Sequence, residues 1–129
     1  MSAADLQTPL KRARGLGSAK SGVHHWVVQR ITAVALIPLS LWIIYVVLAV
    51  LHTGYAQAHA LVHQPVNAVL LTAFVAGVFW HAQLGLQVVI EDYVHTRWLE
   101  ITSQLAVKFF CVLGAVACVL AIARIALGQ

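Results

Sequence analysis

The sequence predicts an all-α membrane protein with three transmembrane helices. The chain has 129 residues, of which 61% are apolar and 9% are charged, whereas an ordinary soluble domain has about 45–50% apolar and about 25% charged residues. The apolar residues form three long stretches, which the core of a soluble protein of this length is too small to enclose. The composition therefore excludes a typical water-soluble protein, and three bilayer-spanning helices explain it most simply.

Residues 1–30 form a basic segment that precedes the apolar stretches. The segment carries five of the eight Lys and Arg residues of the chain, namely Lys11, Arg12, Arg14, Lys20 and Arg30. Basic residues before a first span mark the side that stays in the cytoplasm, where anionic lipid is a sufficient partner for them. Nucleic-acid binding is not expected, because the apolar spans leave no soluble basic domain.

Residues 31–129 are predicted to form a three-helix membrane anchor, with spans at about 31–51, 66–90 and 105–127. The first span has 21 residues without a charge, which corresponds to about 30 Å of helix and so to the thickness of a bilayer core. Pro38 is expected to kink this helix or to leave a carbonyl that a serine or a neighbouring helix satisfies. Residues 52–65 interrupt the apolar pattern, and we interpret them as a short loop or interfacial turn before Pro65 starts the next helix.

The charges also predict the orientation of the chain in the membrane. Seven Lys and Arg residues fall on the side of the N-terminus and the second loop, whereas Arg124 falls on the opposite side. The positive-inside rule therefore predicts a cytoplasmic N-terminus and an external C-terminus.

His81 is the side chain that most needs an explanation. It lies nine residues before the acidic end of the second span, which is about 13 Å by helical rise and thus close to mid-membrane. An imidazole at that depth requires a partner, which can be a hydrogen bond to another helix, a proton path or a haem iron. Gly77 and Gly85 lie one turn to either side on the same face, where a flat cofactor or a closely packed helix would fit.

Titratable and aromatic residues cluster where the second span ends, namely Glu91, Asp92, Tyr93, His95, Arg97 and Trp98. A tyrosine hydroxyl and a guanidinium at headgroup depth can donate hydrogen bonds to a quinone carbonyl while neighbouring carboxylates and imidazoles carry protons. The alternative is an aromatic and charged belt at the membrane interface. Asp92 lies three helical turns after His81 and projects from nearly the same face.

Two other pairs of residues have metal-binding or redox chemistry. His59 and His63 are four residues apart, a spacing that some metal sites use, but no third ligand is nearby, so a solvated interfacial pair is the preferred interpretation. Cys111 and Cys118 share a helix face but are separated by roughly 10 Å along its axis. That separation excludes a disulfide between them.

Two motifs carry a family resemblance that covers nearly the whole chain. They are LGSAKSGVHHWVVQR, in which His24 precedes Arg30 by six residues, and HAQLGLQVVIEDYVH, in which His81 precedes Asp92 and Tyr93 by eleven and twelve. In these motifs the chain resembles the hydrophobic membrane anchor of succinate dehydrogenase, the D-type subunit of bacterial complex II. The resemblance implies a noncatalytic subunit of the bacterial inner membrane. It would pair with a second three-helix anchor, the C-type cytochrome b subunit, and dock an iron–sulfur protein and a flavoprotein on the cytoplasmic face.

The resemblance also implies roles for individual residues. The histidine matching His81 is one axial ligand of a haem b that the two anchors share. Residues matching His24 and Arg30 approach the haem propionates and the quinone pocket. Residues matching Tyr93 and Asp92 belong to the ubiquinone site, where the tyrosine bonds the quinone head group.

The expected function is therefore electron transfer from an iron–sulfur cluster to ubiquinone, with proton uptake beside the quinone and succinate oxidation on the flavoprotein. His25, next to His24, departs from the family pattern and leaves the choice between these two histidines open. Two other classes of protein fit the same spans: a cofactor-free assembly anchor, and a small proton-coupled transporter that uses His81. A b-type haem spectrum and a co-purifying flavoprotein would distinguish the expected succinate dehydrogenase anchor from these two alternatives.

Overall fold

The computed structural model describes residues 8–13 and 22–128 of the chain. Within these ranges every regular element is a helix. The helices are α1 (Pro9–Ala13), α2 (Gly22–Val50), α3 (Tyr55–His63), α4 (Pro65–Tyr93) and α5 (Arg97–Ala126). Arg14 and Lys20, two of the basic residues that predict the orientation, lie outside the described residues.

The three long helices, α2, α4 and α5, are the candidate membrane spans. The mean hydropathy of their most apolar windows is 2.6, 1.6 and 2.6, and at most 6% of each window is buried inside the chain. Most of their apolar side chains therefore lie on the surface of the chain. Such a surface is favourable in lipid or against a partner helix and unfavourable in water. The predicted all-α architecture with three membrane spans is confirmed.

Each long helix extends beyond the apolar run that predicted it. The three helices have 29, 29 and 30 residues, so each is about 44 Å long, close to the thickness of a bilayer with its headgroup layers. Helix α2 begins nine residues before Ile31, and α5 begins eight residues before Leu105. In the extra turns the backbone groups keep their helical hydrogen bonds through the interfacial layers. Polar side chains lower the hydropathy there, so the hydropathy pattern does not include these turns in the spans.

The interpretation of residues 52–65 as only a loop or turn is wrong, because α3 occupies most of this segment. Its sequence, YAQAHALVH, is rich in residues that favour helix. The backbone N–H of Gly54 donates to Gln57 Oε1 at 3.1 Å at the start of α3. At the junction with α4, Asn67 Nδ2 donates to the Leu61 carbonyl at 2.9 Å. Helix α4 then begins at Pro65, as predicted.

Helix α4 lies between the other two spans. Both α2 and α5 pack on it extensively, and α3 packs on α4 and α5, whereas α2 and α5 have no comparable contact within the described part of the chain. Glycines permit the close approach on both sides, since Gly77 of α4 faces Leu36 of α2 and Gly114 of α5 faces the ring of Phe79. Helix α2 continues through Pro38 without a break.

Candidate functional site

The centre of the candidate site is a hydrogen bond between α2 and α4. The Thr32 hydroxyl lies 2.9 Å from Nδ1 of His81. Both side chains are half-buried. Among the described residues, Nε2 of His81 has no hydrogen-bond partner. The histidine is thus held on one side by this chain, and its second ring nitrogen is available to a group outside it.

The same helix pair shows how the flanking glycines are used. A Cβ on Gly77 would lie 3.1 Å from Leu36 Cδ2, and a Cβ on Gly85 would lie 3.6 Å from Gln29 Nε2. Both glycines therefore face α2. Close helix packing, one of the two possibilities left by the sequence, is therefore present at these positions.

A cavity of about 410 Å³ lies between the first turns of α2 and the last turns of α4. It is lined by Gly22, His24, His25, Val28, Trp80, Leu84, Gln87 and Glu91. Nε2 of His25, which lines the cavity, and Oε1 of Gln29, one turn further along α2, are buried polar atoms without a hydrogen-bond partner among the described residues. Because an unpaired buried polar atom is costly, each of these two atoms requires a polar partner that the described residues do not supply.

The two histidines that the motif left open both line this cavity, but they differ in burial. His24 is exposed, whereas His25 is half-buried and turns its Nε2 into the protein. Arg30 does not line the cavity. The structure therefore brings both histidines to one site and leaves Arg30 elsewhere.

Arg30 lies two turns inside α2 rather than at its start. Its side chain is exposed, and its guanidinium carbon lies 5.3 Å from the ring centroid of Trp26, one turn nearer the start of the helix. An arginine this far inside a span reaches towards the headgroups with its long side chain, and the indole face supports the cation there.

The residues at the end of α4 face away from the chain. Tyr93 is the last residue of the helix and is 79% exposed. Asp92 is also exposed and has no hydrogen-bond partner among the described residues. By contrast, Glu91 Oε1 accepts hydrogen bonds from Gln87 Nε2 at 2.8 Å and from Gln104 Nε2 of α5 at 3.4 Å. Glu91 thus ties the end of α4 to α5 while Asp92 and Tyr93 remain free for an external group.

At the opposite end of the spans the histidines make contacts within the chain. His63 Nδ1 donates to the carbonyl of Ile125 at 3.0 Å, which joins α3 to α5. The ring of His59 lies 5.8 Å from that of Tyr55, centroid to centroid. Within the described ranges no group of three or more His, Cys, Asp or Glu side chains is placed to hold a metal ion.

Sequence reasoning missed three residues of the site: Gln29, Thr32 and Gln104. Each is a polar side chain inside or beside an apolar span. In a membrane protein such a residue usually has a specific hydrogen-bond partner, so its polarity within an apolar stretch could have marked it as part of a site. The sequence does not indicate which partner each one has, because that depends on the register between helices.

Residues 4–122 match the family described as succinate dehydrogenase/fumarate reductase transmembrane subunit. The chain belongs to this family. The match includes both motifs, the first two spans and most of the third, and the resemblance to the succinate dehydrogenase membrane anchors is confirmed.

Individual relatives of this family align over 80% or more of their own length. The succinate dehydrogenase hydrophobic membrane anchor subunit of Rickettsia bellii is 41% identical over 118 residues, which are 92% of this chain and 94% of the relative. The subunit of the same name from Paracoccus denitrificans is 34% identical over 125 residues, 94% of this chain and 93% of the relative. A succinate dehydrogenase membrane anchor subunit of Reclinomonas americana is 30% identical over 99 residues, 72% and 80% of the two chains. No solved structure matches the chain.

Proposed function

We propose that this chain is the membrane anchor subunit of a succinate:quinone oxidoreductase, in which it helps to bind haem b and ubiquinone. The observation that carries the proposal is His81, an intramembrane histidine with one nitrogen bonded to Thr32 and the other without a partner in the described chain. A histidine of this kind in a family of succinate dehydrogenase transmembrane subunits fits the axial ligand of a haem shared between two subunits.

The donor set supports a shared haem. Among the histidines of the described spans, His24 and His25 lie in the first turn of α2, whereas His81 lies deep in α4 with a free ring nitrogen. No cluster of metal-binding side chains accompanies His81 among the described residues. The second axial ligand would come from a C-type partner anchor. When bound, the haem supplies a one-electron redox centre. The cavity residues His24 or His25, together with Arg30, would neutralise its propionates or assist the quinone pocket.

The end of α4 supports a quinone site. Tyr93 and Asp92 are exposed at the membrane surface beside the cavity residue Glu91. There the Tyr93 hydroxyl would donate a hydrogen bond to a quinone carbonyl, and Asp92 would order the tyrosine and nearby basic groups. Reduction of the quinone to quinol takes up two electrons, delivered from an iron–sulfur subunit, and two protons, which titratable side chains at this surface would pass on.

The exposed apolar surface supports partner subunits. Within the described residues only Val46, Ala68, Leu84 and Cys111 are buried side chains, and none of them is polar. So small a core does not fix three spans by itself, and a second three-helix anchor would bury more of their surface. The iron–sulfur protein and the flavoprotein, where succinate is oxidised, would dock at the end that carries Tyr93. With the N-terminus in the cytoplasm, that end lies on the cytoplasmic face of the inner membrane.

The test is purification of the native complex through an affinity tag on this chain, followed by a gel and a dithionite-reduced minus oxidised spectrum. We expect a co-purifying flavoprotein and iron–sulfur protein and a b-type spectrum. The spectrum should be lost or perturbed in His81→Ala and unchanged in His59→Ala, the matched control. A complex with flavoprotein but without haem would instead indicate a cofactor-free anchor. Isolation of this chain without either would favour a transporter.

A further inference from the structure

Thr32 has a hydroxyl with three polar neighbours. Its Oγ1 lies 2.9 Å from the carbonyl oxygen of Val28, 3.1 Å from that of Gln29 and 2.9 Å from Nδ1 of His81. A hydroxyl has one hydrogen to donate and two lone pairs with which to accept. The two carbonyl oxygens are acceptors only. The direction of the hydroxyl hydrogen therefore fixes which nitrogen of His81 carries a proton.

Two arrangements of protons satisfy this geometry unequally. If the hydroxyl donates to the Val28 carbonyl, as helical threonines commonly do, its lone pair accepts a hydrogen bond from Nδ1–H of His81. If the hydroxyl instead donates to Nδ1, the neutral imidazole carries its hydrogen on Nε2, for which the described chain offers no acceptor. An unpaired N–H in a membrane span is costly. The first arrangement is therefore favoured.

We propose that Thr32 is a positioning residue that holds His81 in the tautomer with hydrogen on Nδ1 and a free lone pair on Nε2. This is the tautomer that a metal ligand requires, because iron binds the nitrogen that lacks hydrogen. The inference rests on the proposed haem function and deepens it. It assigns to this chain a residue that sets the orientation and the basicity of the ligand.

The helix packing around Thr32 keeps the hydroxyl in place. On one side Gly77 faces Leu36, and on the other Gly85 faces Gln29, so both flanks of the contact are fixed by close helix approach. The β-branched side chain restricts rotation about its first bond. The hydrogen bond is thus built into the α2–α4 interface and does not depend on the partner subunit.

When Nδ1–H of His81 donates a hydrogen bond to the Thr32 hydroxyl, the imidazole becomes a stronger electron donor to iron. A stronger donor favours the ferric over the ferrous state, so the bond lowers the midpoint potential of the haem. Removal of the bond should therefore raise that potential. It should also weaken haem retention by roughly ten- to hundredfold, the usual effect of losing such an outer partner.

The experiment compares Thr32→Val, which keeps the shape and removes the hydroxyl, with Thr32→Ser, which keeps the hydroxyl. Thr72→Val is the matched control, because the Thr72 hydroxyl donates only to the carbonyl of Ala68 in its own helix, at 2.8 Å. The purified complexes are assayed for haem b per flavin, for the haem midpoint potential and for the low-spin ferric EPR spectrum. We expect a higher potential, an altered EPR spectrum and easier haem loss in Thr32→Val, with wild-type values in the Ser variant and the Thr72 control.

The outcomes separate this inference from the function on which it rests. If the wild type has a haem that is lost in His81→Ala, but Thr32→Val keeps the wild-type potential and EPR spectrum, the inference is overturned and the function stands. If the wild-type complex has no haem, or keeps it unchanged in His81→Ala, both are overturned. Should Thr32→Val not assemble, Thr32→Ala, which removes the hydroxyl without any steric clash, is assayed in its place and interpreted by the same criteria.

Discussion

The ring of Phe79 in α4 lies directly against Gly114 in α5. A Cβ built on this glycine would be 2.6 Å from Cε1 and 2.8 Å from Cζ of the ring. These distances are well inside van der Waals contact, so the position accepts no larger side chain unless the ring moves. The glycine is therefore a requirement of the α4–α5 interface and not a point of flexibility.

We expect Gly114→Ala to destabilise the protein by about 1–2 kcal/mol. Overpacking of this kind costs about 1–3 kcal/mol, and the better helix propensity of alanine offsets up to about 1 kcal/mol. Thermal unfolding of the purified protein in detergent measures the loss. Gly22→Ala is the control, because a Cβ there meets nothing within 4 Å. Addition of Phe79→Leu should restore part of the stability, and its failure to do so would contradict the proposed clash.

We expect Tyr93→Phe to lower succinate-to-quinone turnover by up to about tenfold, the effect of one hydrogen bond lost at the reacting carbonyl. Succinate oxidation with an artificial acceptor at the soluble subunits should remain near normal. Tyr55→Phe is the control, since Tyr55 is similarly exposed, at 82%, in α3. If turnover and sensitivity to quinone-site inhibitors both stay unchanged in Tyr93→Phe, the cluster is an interface belt.

Asp92→Asn is expected to have a milder effect than Tyr93→Phe. The carboxylate has no hydrogen-bond partner among the described residues, and under the proposed function it would order the tyrosine and nearby basic groups without contacting the quinone. Steady-state assays of both variants under identical quinone concentrations compare them. A larger loss in Asp92→Asn would assign the carboxylate a direct part in proton delivery.

Two substitutions of Arg30 should differ in their effect on haem retention and quinone reduction, because one removes only the shape of the guanidinium and the other also removes its charge. Arg30→Lys keeps the charge but loses the planar fork and much of the stacking on Trp26, so haem retention or quinone reduction should weaken. Arg30→Ala should cost more, by about ten- to hundredfold, since it removes a charged hydrogen-bond donor. Haem per flavin and turnover are measured, with Arg124→Ala as the control at the opposite end. Wild-type haem content and activity in Arg30→Ala would refute the role.

His63 should stabilise the end of α5. Its Nδ1–H donates to the carbonyl of Ile125, which also accepts from the backbone N–H of Gly128 at 3.1 Å, so the two bonds together satisfy one of the last carbonyls of the helix. We expect His63→Phe to cost about 0.5–1 kcal/mol and to speed amide exchange at Leu127 and Gly128. His59→Phe, which removes no described hydrogen bond, is the control. Equal exchange rates in the two variants would show that the bond does not hold the helix end.

The sequence predicted the parts of this structure that depend on composition along the chain. Uninterrupted apolar residues locate the spans, and Pro65 marks the start of α4. Helix α3 could not be predicted from hydropathy, because its pattern is too short and too polar. Its helical state also depends on packing against α4 and α5.

The site was predictable to the level of residue types but not of contacts. Position alone shows that His81 needs a partner, whereas Thr32 becomes that partner only through the register set by Leu36 against Gly77. Spacing likewise could not separate His24 from His25, whose difference in burial comes from the packing of α2 on α4. Tyr93 is 79% exposed within the described chain, so under the proposed function its partners belong to other molecules, which this sequence does not specify.

The arrangement of α2 and α5 on either side of α4 has a thermodynamic consequence. The two helices share α4 but have little contact with each other, and Leu36 meets Gly77 while Gly114 meets Phe79 on the other side. Substitutions at the α2–α4 interface and at the α4–α5 interface therefore have no common contact through which to influence one another. The free-energy losses of Leu36→Ala and Gly114→Ala should then be additive in the double variant, to within about 0.5 kcal/mol. In this respect the protein would behave as two helical pairs joined along one shared helix.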